Sequence, residues 1–273
     1  VSLVEEADAP PTVAPARFCP VLVILSPPRC GSTALARAFW RHPAFRWYVH
    51  EPYDRAYHRG AGPAAARAAL AEPLEVGRPG ATGLVVKEMT FQAGAGLADL
   101  LRAATLPVVV PVRDPRLAVR SRARQRALAG QPAAFPAVES GWPDLAAALD
   151  LMRATAVPYV VVEFTALRRR PAALLPVLCR QLGLGFTPDL LSWPARAGLP
   201  LGQLGAEQRH WYDRALSSSR FVADDERPPG PDDVPAPLRP HLAEWLDVYR
   251  RAMRDPHAVG PAPAGPSLAG RLP

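Results

Sequence analysis

Two stretches are apolar from end to end, VVVPV at 108–112 and YVVVEF at 159–164, broken only by a proline and a late glutamate. A strand with one wet face alternates apolar and polar residues. An unbroken β-branched run belongs to a strand covered on both faces. VLVILS at 21–26 is of the same kind. With weaker runs nearby, these place strands at Val21–Ser26, Phe45–His50, Gly83–Lys87, Val108–Arg113 and Tyr159–Phe164. Pro111 has no N–H, so it removes one ladder bond from the fourth strand. Helical patterns follow at Thr33–His42, Gly96–Ala104, Pro115–Leu128, Leu145–Ala156, Ala172–Leu182 and Pro237–Met253. Strand–helix alternation implies an α/β chain with a central parallel sheet of about five strands between two helical layers. Ligands of such sheets sit at the carboxyl ends of the strands, so the residues just past each run carry the functional information.

SPPRCGST follows the first run, at 26–33. Gly31 permits a tight turn, Ser32 and Thr33 offer hydroxyls, and the free N–H groups of the helix that opens there point back at the loop. Arg29 adds a forked, permanent charge. The stretch reads as an anion cradle, although a plain strand-to-helix turn would also use Gly and Ser. It lacks the Gly-Lys of an ATP-binding loop. Glu51 follows the second run. Lys87, the only lysine of the chain, closes the third and is followed by Glu88. Arg113 closes the fourth, Asp114 is placed to cap a helix, and Pro115 suits its first position. Ser121 lies two helical turns beyond Arg113, close enough for both to meet one anion. Arg120, Arg122, Arg124 and Arg126 read as a solvated basic face.

Hydrophobic content of 49% and charged content of 21% suit a globular chain, and 273 residues suit one large domain or two small ones. The net charge of +7 is spread among many acids, which argues against a nucleic-acid surface. Cys19, Cys30 and Cys179 are too few and too scattered for a disulfide framework or a metal site. Cys30 is the one to watch, because a helix N-terminus lowers a thiol pKa. No apolar run approaches the roughly 20 residues of a membrane span, and the first residues are unlike a signal peptide. The expected location is cytoplasmic, with no membrane partner. Residues 1–17 and 256–273 are Pro/Gly/Ala-rich and read as flexible tails around one domain at 18–255.

SPPRCGST, a strand-end Glu about twenty residues later, and Arg-Asp-Pro-Arg with Ser121 beyond it together resemble the sulfotransferases that use 3′-phosphoadenosine 5′-phosphosulfate (PAPS). The likeness is greatest to the tyrosylprotein sulfotransferases and to a bacterial and fungal group of sulfotransferase-like proteins. The latter group also shares KEM, LLSWP at Leu190–Pro194 and HWYDRALSSSRF at His210–Phe221. The resemblance spans roughly residues 20–225 and implies a P-loop NTPase-like sulfotransferase fold. It implies that Pro28, Arg29, Cys30, Gly31, Ser32 and Thr33 hold the 5′-phosphosulfate, that Arg113 and Ser121 hold the 3′-phosphate, and that Arg220 reaches the nucleotide. Glu51 falls near the catalytic glutamate of the tyrosylprotein branch. Lys87 resembles the lysine of the Lys-Thr-His motif of cytosolic enzymes, but Met89 stands where they have a catalytic histidine. That departure turns attention to Glu51 as the base, with His50 and Glu88 behind it.

Sulfuryl transfer needs in-line positioning and charge stabilisation more than covalent chemistry. Arg29, Lys87 and the loop N–H groups are suited to charge on the leaving oxygen, and no metal is expected. PAPS is the expected donor, PAP the product, and a small-molecule hydroxyl or amine the acceptor. A phosphotransferase using an NTP and a catalytically inactive nucleotide-binding protein stay open as alternatives. Segments Tyr53–Pro79 and Ala129–Pro143 read as lids over an unidentified acceptor. Trp40, Trp47, Tyr48, Tyr53, Phe91 and Trp142 are either acceptor-pocket or core aromatics.

Overall fold

A computed structural model of the chain describes residues 17–197, 199, 201–223 and 227–260. The strands are β1 (Val21–Ser26), β2 (Phe45–His50), β3 (Leu74–Glu75), β4 (Gly83–Met89), β5 (Val108–Val112), β6 (Tyr159–Glu163) and β7 (Ala258–Val259). The helices are α1 (Ser32–Phe39), α2 (Asp54–Arg59), α3 (Pro63–Ala71), α4 (Thr90–Ala93), α5 (Leu97–Ala103), α6 (Pro115–Leu128), α7 (Trp142–Ala154), α8 (Phe164–Arg169), α9 (Pro171–Gln181), α10 (Gly205–Ser217) and α11 (Leu242–Met253).

The seven strands form one sheet in the order β3-β2-β4-β1-β5-β6-β7, parallel except for the antiparallel β2–β3 pair. The five expected strands are all present. The sequence reading missed β3 and β7 because two residues show no period. β7 also corrects the tail boundary: Ala258 and Val259 pair with Val161 and Val162, so the sheet extends into 256–260. Residues 1–16 and 261–273 of the expected tails lie outside the described residues.

Successive side chains of a strand point to opposite faces, and the two cores follow that rule. Val21, Val23 and Leu25 pack with α3, α5, α6, α7 and α11 on one face. Leu22 and Ile24 pack with α1, α8, α9 and α10 on the other. The β1–β5 ladder is registered at Ile24↔Val109, and Pro111 falls past it, paired only with Val162 of β6.

Helix ends differ from expectation where backbone chemistry intervenes. α1 starts at Ser32 because Gly31 takes φ 84, a left-handed value. α7 starts earlier than expected, at Trp142, behind Gly141 at φ 70 and with Pro143 in its first turn. Pro240 limits the expected first turns of α11 to a 3-10 segment at Ala236–His241. β1 is flanked by β4 on one side and β5 on the other, and the chain crosses from one side of β1 to the other between β4 and β5. A crevice opens at the carboxyl end of β1, where such sheets bind ligands. Among the described residues no helix is long and apolar enough to cross a membrane.

Candidate active site

A cavity of about 410 Å³ occupies that crevice. It is lined by the loop after β1 (Pro28, Arg29, Gly31, Ser32, Thr33), by Glu51 after β2, by Arg113 after β5, by Ser121 and Arg122 of α6, by Gln208, Trp211 and Tyr212 of α10, and by Arg220 beyond it. Residues widely separated in the chain therefore share one chamber.

The first loop turns on a left-handed glycine into the start of α1. Among the described residues no side chain caps α1, so its first-turn N–H groups remain available. Gly31 is required on two counts: its φ is positive, and a Cβ there would come within 1.9 Å of the Phe164 ring. Arg29 is also left-handed, with φ 65, and Glu51 has φ 47. Strain of this kind, in non-glycine residues, concentrates at functional sites. The Arg29 guanidinium donates to Ser121 Oγ (3.2 Å) and to the Trp211 carbonyl (2.8 Å). The loop after β1 and helix α6 thus meet directly. Burial lowers the Arg29 pKa to about 10, far enough above neutral to keep its charge. Arg113 is buried at the end of β5, within the same lining.

Glu51 sits just past the His50↔Lys87 pair of β2 and β4. Lys87 Nζ donates to its Oε1, and the Tyr212 hydroxyl donates to the same oxygen from 3.1 Å. His50 Nε2 lies 3.2 Å away, without hydrogen-bond geometry. Burial works against the carboxylate, but Lys87 and His50 outweigh it and hold the group well below the usual range. His50 is itself pushed down by burial. Glu88, the next residue on β4 after Lys87, points to the opposite face. It accepts from the Tyr53 and Met89 backbone N–H groups at 2.8 and 2.6 Å and does not line the cavity.

Several sequence expectations change. Lys87 is fully buried behind Glu51 and touches the cavity only through it. The Cys30 thiol lies in the core, and burial pushes it up to about 12; it is an inert core group, leaving only main chain to the loop. Arg122 is not on a solvated face. It is buried, bonded to the Glu139 carboxylate and carbonyl, and 4.5 Å from the Phe135 ring centroid. Arg124 does face solvent. Trp40, Tyr48 and Trp142 are core residues, whereas Phe91 lines the cavity.

The sequence reading gave no role to Asp54, Gln208, Tyr212 or Arg37. Asp54 Oδ1 accepts from Gln92 (3.0 Å) and Gln208 (2.9 Å). Burial, aided by Glu51, pushes its carboxyl up to about 7. The Gln208 amide oxygen lies 3.0 Å from the Tyr212 hydroxyl. Asp54 is thereby linked through Gln208 and Tyr212 to Glu51. Arg37 of α1 is buried and donates to the carbonyls of Pro194 (2.6 Å), Leu216 (2.8 Å) and Ser218 (3.1 Å), and to that of Ala215. It ties the helix of the anion loop to both ends of the stretch bearing LLSWP and HWYDRALSSSRF. The helical spacing of Gln208 and Tyr212, and of Asp54 and His58, was the one available signal.

A family model described as a sulfotransferase domain matches residues 125–245. The match covers less than half of the chain; it includes α10 and Phe164 but not Arg29, Glu51, Arg113 or Ser121. No curated protein matches the chain. Among solved structures, the chain is similar to the sulfotransferase domain from the curacin biosynthetic pathway, at 17% identity over 85% of this chain and 99% of that one, with a TM-score of 0.48. The sulfotransferase domain of the Synechococcus PCC 7002 olefin synthase is 19% identical over 85% of this chain and 95% of that one, with a TM-score of 0.45. A sulfotransferase from Alicyclobacillus acidocaldarius is 14% identical over 62% and 87%, with a TM-score of 0.44. None of these singles out the tyrosylprotein branch.

Proposed function

We propose that this chain, whose residues 125–245 match a sulfotransferase domain, moves a sulfuryl group from PAPS to a hydroxyl or amine of a small-molecule acceptor. One observation carries the reading: the anion loop after β1 and the Arg113/Ser121 pair face one cavity, with Arg29 hydrogen-bonded to Ser121 across it at 3.2 Å. Two anion sites in one chamber suit a donor with phosphates at two places. The donor set fits as well, since arginines, hydroxyls and helix N–H groups are all anion ligands.

When bound, PAPS supplies the sulfuryl group and a stable leaving nucleotide. Arg29 and the first-turn N–H groups of α1 stabilise negative charge growing on the leaving oxygen. Arg113 and Ser121 hold the 3′-phosphate, Arg220 stands at the rim, and Phe164 and Phe221 offer aromatic faces to a base. A new acceptor O–S bond forms as the S–O bond to the 5′-phosphate breaks, and the acceptor proton passes to Glu51. Lys87 keeps Glu51 ionised at neutral pH but also makes it a weak base. The proton therefore moves late, once sulfur bonding has made the acceptor oxygen strongly acidic.

Calorimetric titration with PAP tests the donor site. Micromolar binding is expected, and Arg29→Ala and Arg113→Ala should each weaken it about tenfold or more, since a charge-assisted contact contributes about 1.5–3 kcal/mol. Wild-type affinity in either variant removes that residue from the donor site. Failure of PAP to bind the wild type overturns the reading.

A further inference from the structure

A second cavity, of about 280 Å³, lies between α2, α3 and the segment that follows α4. Its walls include Tyr53, Tyr57, Ala66, Leu70, Ala93 and Gly96. A Cβ on Gly96 would come within 2.1 Å of the Tyr53 ring, so glycine is what lets that ring pack on the turn. The Tyr53 hydroxyl donates to the Gly96 carbonyl (3.1 Å). Its one polar atom is thus engaged, and what Tyr53 offers the cavity is its ring. Arg67 and Asp99, of opposite sign, are the charged residues of the lining, so it carries no net charge with which to select an ion.

The two cavities abut at Gln92, which lines both. Gln92 is only 6% exposed. Its Nε2 is used on Asp54 Oδ1, but its Oε1 is buried and has no hydrogen-bond partner among the described residues. Buried amide oxygens are almost always satisfied. An orphan acceptor where the two cavities meet points to a ligand that brings a donor. Phe91 on the first side and Tyr57 on the second meet edge to face at 4.9 Å beside that junction.

We propose that this second cavity seats the apolar body of the acceptor: an uncharged aromatic or compact aliphatic molecule. Beside the hydroxyl that is sulfated, it carries a second donor that satisfies Gln92 Oε1. The volume falls just under the roughly 300 Å³ at which pockets for drug-sized ligands begin, so it suits one fused-ring body and not an extended chain. This inference rests on the sulfotransferase reading, and the test keeps the two apart.

The probes are 2,3-dihydroxynaphthalene and 2-naphthol, titrated by calorimetry into the protein saturated with PAP. The diol should bind roughly fivefold or more tightly than the mono-ol, and Gln92→Leu should erase that difference. Ala56→Phe, at a half-buried lining position, and Ala66→Trp, at a buried one, should each weaken both probes about tenfold or more while leaving PAP affinity within about twofold. Ala56→Phe decides the matter if Ala66→Trp does not fold. Absent probe binding in a protein that holds PAP, or binding indifferent to Ala56→Phe, overturns the inference and leaves the sulfotransferase reading standing. Absent PAP binding in the wild type overturns both.

Discussion

Glu51 and Glu88 end neighbouring strands, are both fully buried, and point to opposite faces of one sheet. Their ionisation is opposite. Glu51 is held well below the usual carboxylate range by Lys87 and His50, against the effect of burial. Glu88 is pushed well above it, first by burial and then by the charge of Glu51, although two backbone N–H groups oppose the shift. Burial is common to both; the partner decides. On the cavity side an ammonium sits against the acid, and on the far side main-chain dipoles do. The cavity is thus bordered by one acid held toward its charged form and backed by one pushed toward its neutral form.

The largest effect expected from breaking this contrast is that of Lys87→Met. Removing one member of a buried ion pair costs about 3–5 kcal/mol, and Glu51 should then rise toward Glu88 in behaviour. Thermal denaturation with a midpoint unchanged from wild type would refute the pairing. Glu51→Gln is the next largest: PAP affinity should persist while PAPS turnover falls about 10²-fold or more, the usual contribution of a positioned base. Turnover that survives unchanged removes Glu51 from the base role.

Glu88→Gln sharpens the contrast with the smallest effect. Below the ordinary carboxylate value near ~4.3 it replaces a neutral acid by a neutral amide in the folded and unfolded chain alike, so stability there should change by less than about 1 kcal/mol. Its pH dependence has a definite sign. The folded pKa of Glu88 is raised, so unfolding releases its proton once the pH passes the ordinary value near ~4.3. Its contribution to stability is therefore full below that value and declines as pH rises toward the folded pKa. Relative to wild type, Glu88→Gln should gain stability with rising pH above about 4.3. Glu51 has the reverse sign: its contribution is full above the ordinary value and is lost as pH falls. Denaturant midpoints collected across that range for wild type and both variants would expose a shared slope, which is the outcome that contradicts the assignment.

Most of the sheet was legible because each core strand announces itself over five or six consecutive residues. The first loop was legible for a related reason: Arg29, Gly31, Ser32 and Thr33 are contiguous, so their chemistry appears as one string. That Arg113 and Ser121 lie near one another was legible through helical spacing, and both line one cavity. Arg122 was misread because α6 has a run of alternating arginines, and nothing local tells which of them Glu139 and Phe135 will cover. Cys30 drew notice as a thiol because its position at a helix start is visible in the sequence, while the core that buries it is not.

The sequence by itself determined the alternation of strand and helix, the strand ends at which polar residues gather, and the run of arginine, glycine and hydroxyl residues in the first loop. Those properties follow from backbone sterics and the period of burial, which act over a few residues. Only the tertiary structure decided that Lys87 meets Glu51, 36 residues away, and that Tyr212 meets it from 161 residues away. The same holds for Arg37, which gathers carbonyls from two distant segments, and for Gln92, which lines two cavities. Such pairings depend on sheet register and on how helices close over the sheet, and no local pattern encodes which charged groups will share a buried site.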